Sequence, residues 1–400
     1  MIGGLLKTTS VAALVAVAGV AAGAVSANAA DFGGDCCADL EERVAELEAT
    51  TARKGNRKVS LTIYGQVNQA VMFWDNGDES NTYIVDNDIS STRFGFKGKA
   101  KITPDWSAGY KIEIEAENSE SSNVTEDNDD ANDGLSIRKT EWYLKSKTYG
   151  KLSVGQGDMA NSGITEIDLS GTNVSAQFDN IKAGQDITAG NGRRFDAFTG
   201  GGNNEFNRLN RVRYDTPTFG GFIVSAAFGE DDVWDVALRY AGQLGDFKLA
   251  AGIAYGENSD ASNVFGGFND ASEDVINGSF SVLHTPTGLF VTAGASQGDT
   301  EDDNLGGGSE EVFYGVRAGI SQKFIPLGKT AFYGQYQRYE EDFNNGTFDE
   351  ADVYGGGVVQ KIDAAAMELY LDYKRIEVDD ESAFDYNDLD VVLTGARIKF

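Results

Sequence analysis

From Lys58 onward the chain alternates apolar and polar residues with a period of two. In VSLTIYGQV, Leu61, Ile63, Gly65 and Val67 interleave with Thr62, Tyr64, Gln66 and Asn68. In TRFGFKGKAKI, Phe94, Phe96, Ala100 and Ile102 fall on one face, and Arg93, Lys97, Lys99 and Lys101 on the other. GYKIEIEAEN sets Tyr110, Ile112, Ile114 and Ala116 against Lys111, Glu113, Glu115 and Glu117. This is the period of a β-strand with two unlike faces. It predicts strands at 58–74, 90–103, 106–118, 135–147, 150–157, 208–216, 220–229, 233–243, 246–256, 274–286, 288–297, 311–323, 329–340, 351–362, 366–378 and 388–400. A half-buried strand of a soluble sheet alternates in the same way. Sustained charge on one face of strand after strand is less usual there. In the second and third strands the drawn register sets Lys97 opposite Glu113, an ordinary cross-strand pair.

The predicted connections sort into two kinds. TPDW, TPTFG, LGD, HTPTG and IPLGK are short, and all four prolines (Pro104, Pro217, Pro286, Pro326) fall in them. The alternate connections are long and acidic, as in DNGDESNTYIVDND, SESSNVTEDNDDANDG and QGDTEDDNLGGGSEE. A rim of short turns facing a rim of long loops is the asymmetry of an outer-membrane β-barrel. Most of the strands are long enough to cross hydrocarbon when tilted. Unpaired backbone groups are costly there, so the last strand must close on the first. In VLTGARIKF this sets Val392, Ile398 and Phe400 towards lipid and Arg397 and Lys399 towards the lumen. The fold class expected is therefore all-β, a transmembrane antiparallel barrel of sixteen strands with short periplasmic turns and long acidic outer loops.

Ahead of the barrel, residues 1–29 read as a secretory signal: Lys7, an apolar stretch from Val11 to Val25, and Ala27-Asn28-Ala29 as the cleavage site. Residues 30–57 form a short periplasmic segment, helical over 39–52, where Leu40, Val44 and Leu47 share one face. It packs against copies of itself at a three-fold axis or frays. Cys36 and Cys37 are adjacent, so a disulfide between them is strained, and a structural or incidental role is expected.

Composition narrows the functions. The chain has 400 residues with 49 Gly, 23 Phe, 16 Tyr and 4 Pro, which suits many strands. A net charge of −30 argues against nucleic acid as a partner. The excess acid in the outer loops suggests Ca2+ or Mg2+ bridging to lipopolysaccharide, or simple solvation; no cofactor is required. DNDDANDG at 127–134 is a poor calcium loop, because Ala131 and Thr140 stand where ligands are needed. The one histidine, His284, sits beside Pro286 in a predicted turn, which weakens any His-dependent protease or phospholipase. The glycine runs TGGGN and LGGGSE follow no strand-to-helix pattern, so they make weak phosphate sites.

Several stretches resemble the general-diffusion porins of Gram-negative outer membranes, most closely the α-proteobacterial type. VSLTIYGQV is similar to a porin first strand, NRVRYDTPTFGGF to the family's Arg-rich strand and following turn, and the alternating approach to Phe400 to the porin assembly signal. CCADLEERVAELEATTARKGNRKVSL resembles the N-terminal segment of some α-proteobacterial members. The resemblance implies a homotrimer in the outer membrane among lipid and lipopolysaccharide, folded by the barrel-assembly machinery, with cell-wall contact through the N-terminal segment. It also implies a third loop folded into the channel, here about 158–207. Acidic candidates on that loop are Glu166, Asp168, Asp179, Asp186 and Asp196, with Glu205 nearby. The basic candidates on the wall are Arg93, Lys97, Lys99, Arg211 and Arg213. The function expected is passive diffusion of ions and small hydrophilic solutes. A sugar or anion channel and a non-conducting surface barrel stand as alternatives.

Overall fold

A computed structural model describes residues 58–131, 134–179, 181–199, 202–230, 232–259, 271–302, 307–343, 347–380 and 384–400. The signal at 1–29, the helical segment 39–52, and Cys36 and Cys37 lie outside the described residues. The strands are β1 (Thr62–Asp75), β2 (Ser80–Asp86), β3 (Arg93–Lys101), β4 (Trp106–Glu117), β5 (Gly134–Ser146), β6 (Gly150–Asp158), β7 (Thr188–Gly190), β8 (Arg193–Arg194), β9 (Arg208–Asp215), β10 (Phe222–Gly229), β11 (Val233–Leu244), β12 (Phe247–Asn258), β13 (Ala271–His284), β14 (Leu289–Asp302), β15 (Gly307–Ile325), β16 (Gly328–Phe343), β17 (Phe348–Ile362), β18 (Met367–Asp380) and β19 (Leu389–Lys399).

Every ladder is antiparallel, and β19 pairs with β1, with Val67 opposite Ile398 and Phe73 opposite Val392. The sheet therefore closes on itself. β2 and β3 pair with the two halves of β1 and share one position in the ring. With β7 and β8 set apart as a small hairpin, the ring has sixteen positions, matching the sixteen strands expected.

Three expectations are corrected. Lys97 lies opposite Lys111, while Glu113 faces Gly95, because the turn between β3 and β4 shifts the register. The connection after β1 is not all loop: Asn76-Gly77 turns the chain, with Gly77 at φ 86°, and Ser80–Asp86 returns as β2. The acidic segment after β4 does not simply crown the outer rim. Gly184 donates to the Ser121 carbonyl, Thr188 N–H to Glu126 and Tyr83 to the Thr125 carbonyl, so it folds back onto the chain's own interior.

Polarity is inverted relative to a soluble protein. Gln66, Asn68, Arg317, Asp372 and Lys374 are buried on the inner side, while Ile63, Val67, Leu238, Ile253, Phe280, Leu371 and Ile398 are exposed on the outer. No helix among the described residues is long and apolar enough to cross a membrane; the strands carry the apolar surface. Two belts of outward aromatics bound it. Trp106–Tyr149, Phe222–Tyr240 and Phe324–Phe332 lie towards the short turns. Trp234–Tyr255 and Tyr336–Tyr354 lie towards the other rim.

Beyond that second belt the strands continue. β15, at 19 residues, and β16, at 16, overshoot the roughly 9–11 needed to cross hydrocarbon. Their outward positions turn ionic there. Arg338 holds Glu340, Glu350 and Asp352 at 2.5, 2.5 and 2.9 Å. Arg375 holds Glu377 and Asp390 at 3.0 and 2.9 Å, with Asp388 also bound. Tyr336 and Tyr373 donate to Asp352 and Asp390, each at 2.6 Å. Of these acids only Glu350 falls in a connection of the sequence pattern, and it stands on β17.

The closing seam depends on one small residue. Gly65 and Phe400 exchange two backbone hydrogen bonds of 3.0 Å, and a Cβ on Gly65 would meet the Phe400 ring at 2.5 Å and the Arg93 carbonyl at 2.7 Å. Gly65→Val is expected to destabilise closure by about 1–3 kcal/mol. The reading is a smaller fraction of heat-modifiable, folded barrel on refolding; an unchanged fraction would show that the seam tolerates the side chain.

Candidate functional site

The long connection between β6 and β9 follows the inner wall. Its backbone and side chains are held by inward-facing residues of successive strands. Arg239 donates to the carbonyls of Ala160 and Ser162 (2.7 and 2.9 Å), Ser281 accepts from Leu169 N–H (3.0 Å) and Ser321 donates to the Ser170 carbonyl (2.8 Å). Farther along, Tyr339 donates to the Asp179 carbonyl and Lys374 to that of Ile181. The Phe178 ring sits where the wall lacks side chains: a Cβ on Gly294 or Gly315 would approach it to 3.0 or 2.9 Å. Buried Ile164, Val174, Phe178, Ile187, Phe195 and Phe198 supply the apolar contacts of this segment.

Two arginines fix it most firmly. Arg317, 1% exposed, donates to the Ala176 carbonyl, to Asn173 Oδ1 (3.2 Å) and stands 3.7 Å from Asp168, with Phe178 under its guanidinium. Burial alone pushes the Asp168 carboxyl up, but Arg317 and the N–H groups of Ser170 and Gly171 outweigh it and hold it below the usual range. Arg193 binds Asp349 (2.6 Å) and Asp380 (3.1 Å) and lies 4.0 Å over the Phe198 ring. It is delivered by the β7–β8 hairpin, whose turn is Asn191-Gly192 with both residues at positive φ.

Between this segment and the β3–β5 wall lies a polar cavity of about 380 Å³. It has room for on the order of ten waters. Arg93, Lys111, Arg138, Lys139, Lys182 and Arg208 line it, as do Asp88, Glu113, Asp158, Glu166, Asp179 and Glu205. Arg138 and Lys139 both reach it because of a bulge: Glu113 opposes Lys139 and Ile114 opposes Ile137, leaving Arg138 as the extra residue. Lys111 pairs with Glu113 (3.0 Å), Arg138 with Glu115 and Glu113, Lys139 with Asp158, and Lys182 with Asp88 and Asp179 (3.3 and 3.5 Å). Asp179 raises the Lys182 ammonium above its ordinary value despite burial. Desolvation, with Glu205 and Asp179 nearby, pushes Glu166 up to about 8. Desolvation likewise pushes Glu205 up to about 7, although Thr165 N–H and Oγ donate to it at 2.9 and 2.6 Å.

Of the expected acidic residues, Glu166 and Asp179 line this cavity. Asp168 is turned to the wall, and Asp186 is bonded to Arg194 at 3.0 Å. Asp196 lies in the first turn of the short 3-10 helix Phe195–Phe198, near Arg194; burial raises both Asp186 and Asp196. Of the basic set, only Arg93 lines the cavity. Lys97 lies 4.8 Å over the Tyr64 ring, and Lys97 and Lys99 are exposed. Arg211 is taken by Glu141 (2.5 Å) and Arg213 by Asp215 (2.9 Å), both also donating to the carbonyl of Asp158. They hold the start of the inward segment. Lys111 was legible on the charged face of its strand; Arg138 was hidden by the bulge.

No curated protein sequence is significantly similar to the chain. Solved structures of similar fold include the anion-selective porin from Comamonas acidovorans, at 17% identity and TM-score 0.60 over 86% of this chain and 100% of that one. A loop-deleted OmpT of Vibrio cholerae matches at 16% and 0.57, again over 86% and 100%. The outer membrane channel DcaP of Acinetobacter baumannii matches at 13% and 0.54, over 88% and 100%. The sequence itself matches the family described as Gram-negative porin across residues 10–381. An inside-out closed barrel, a segment folded along its inner wall and a match over nearly the whole sequence agree: the chain belongs to the Gram-negative porin family.

Proposed function

We propose that the polar cavity is the eyelet of the channel and that the chain works as a homotrimer. The protein is an outer-membrane porin for diffusion, a channel rather than an enzyme. The apposition of Glu166 and Asp179 on the inward segment to Arg93, Arg138 and Lys139 on the wall carries the eyelet reading. Such a crossing field orders water and disfavours apolar solutes, while leaving small polar ones free to pass. The trimer is supported by the family and by a similar Vibrio cholerae OmpT structure described as a trimer form. The α-proteobacterial type is supported by the terminal segments.

Lipid and lipopolysaccharide surround the outer face in this reading. The assembly machinery engages Val392, Ile398 and Phe400, and residues 30–57 reach towards the cell wall. Catalysis has little to draw on: the single histidine packs at a tilt against Phe247, ring centroids 4.7 Å apart, and its Nδ1 bonds Thr287 at 2.7 Å. Among the described residues no group of three or more carboxylates is arranged to hold a metal ion.

Single-channel recording in a planar bilayer under a KCl gradient tests the assignment. The expected result is conductance steps in threes with a weak anion preference near neutral pH, because Glu166 and part of Glu205 are still neutral there and the cavity's cations outnumber its charged acids, although the chain carries −30. A folded barrel that passes no current would overturn it. A strong anion preference would favour the anion-channel reading.

A further inference from the structure

The charges around the eyelet are not equally engaged. Four of its six cations are tied to carboxylates: Lys111, Arg138, Lys139 and Lys182. Among the described residues the Arg93 guanidinium makes one hydrogen bond, to the Ser90 hydroxyl at 3.2 Å, and no ion pair. Among the described residues the Arg208 guanidinium and the Glu166 carboxyl make no hydrogen bond or ion pair, yet both line the same cavity, and the charge of Arg208 reaches Glu166. The remaining acids are engaged: Asp88 and Asp179 by Lys182, Glu113 by Lys111, Asp158 by Lys139, and Glu205 by Thr165. What the eyelet leaves to a passing solute is therefore two guanidinium groups, from β3 and β9, and one carboxyl from the inward segment.

We propose that the eyelet holds a binding site for small zwitterions bearing a carboxylate and an ammonium, the charge pattern of a free α-amino acid. The solute's carboxylate meets Arg208 and Arg93, whose planar forks suit bidentate contact. Its ammonium meets Glu166. A neutral solute of the same size brings no opposite charge to any of these three groups, and a simple carboxylate leaves Glu166 unmatched. The site rests on the eyelet reading above. An arriving ammonium favours the ionised form of Glu166, so the carboxyl need not be charged in the empty channel. Lys182, Asp179 and Glu205 also face Glu166, and their engaged state keeps them from competing for the solute.

Swelling of liposomes carrying the purified full-length protein tests this, with alanine and lactamide as solutes of matched size and zero net charge. The ratio of their rates cancels any change in bore. At pH 8.5 alanine is expected to permeate at least about threefold faster than lactamide. Glu166→Gln and Arg208→Gln should each bring the ratio close to one, and Arg208→Lys should restore part of it. Lys99→Gln, outside the cavity, should leave it unchanged. Equal wild-type rates, or a ratio indifferent to both cavity substitutions, would overturn the proposal. So would lactate slowing alanine swelling while glycine at the same concentration does not, which would mark a carboxylate site alone. Absence of swelling with every solute, lactamide included, would instead overturn the channel reading itself.

Discussion

Arg317→Met is expected to release the inward segment from the wall, raising the unit conductance and opening Lys182, Arg193 and Arg194 to trypsin. The side chain is 1% exposed and serves three groups of that segment at once: the Ala176 carbonyl, Asn173 and Asp168. Its removal leaves the Asp168 carboxylate buried against Thr292 with no cation, and breaking a buried pair from one side costs about 3–5 kcal/mol. That is more than the hydrogen bonds from Ser281 and Ser321 supply, at about 1 kcal/mol each. Removing the charge on both sides, as in Asp168→Asn with Arg317→Met, should recover part of the loss. Wild-type conductance and a wild-type trypsin pattern in the single variant would place the main anchor elsewhere, with Arg193 the next to examine.

The second large effect is on ion selectivity. Glu166 and Glu205 are held neutral below about 8 and about 7 respectively and become anions above. With both neutral, the six cations of the cavity exceed its remaining acids by two; with both ionised, the count balances. Raising pH from 6 to 9 therefore shifts selectivity towards cations. A unit charge at ~5 Å in a water-like medium contributes about 0.8 kcal/mol, so the permeability ratio should change on the order of two- to fourfold per group before salt screening. Reversal potentials in a KCl gradient measure this directly. Glu166→Gln should remove the upper part of the transition and keep the part near pH 7. A potential flat across this range would mean that neither carboxyl faces the ion path.

The sixteen barrel strands were legible because a strand with one face to lipid and one to water cannot avoid a period of two. β2 was missed although its signal was present: Asn76-Gly77 between two alternating runs marks a hairpin, and NTYIVD sends Tyr83 and Val85 inward with Ile84 outward. The inward segment was legible in position and only partly in detail. Its acids look alike in sequence, but Asp168 is consumed by a buried arginine and Glu166 is not, a distinction fixed by which strand passes behind each. The same holds on the wall. Arg211 and Arg213 have the right spacing and face but spend their donors on Glu141, Asp215 and loop carbonyls. A one-residue bulge brings Arg138 in, and no periodicity shows it.

The ionic strand ends around Arg338 and Arg375 also fix where the molecule floats. Each arginine is saturated by three carboxylates, and the tyrosines beneath tether two of those carboxylates from the hydrocarbon side. Sinking the barrel by one residue pair would drag net-negative clusters into oil, while lifting it would bare apolar staves to water. The two penalties rise on opposite sides of one level. That half of the cylinder therefore has a waterline, written into its strands and independent of the loops above them.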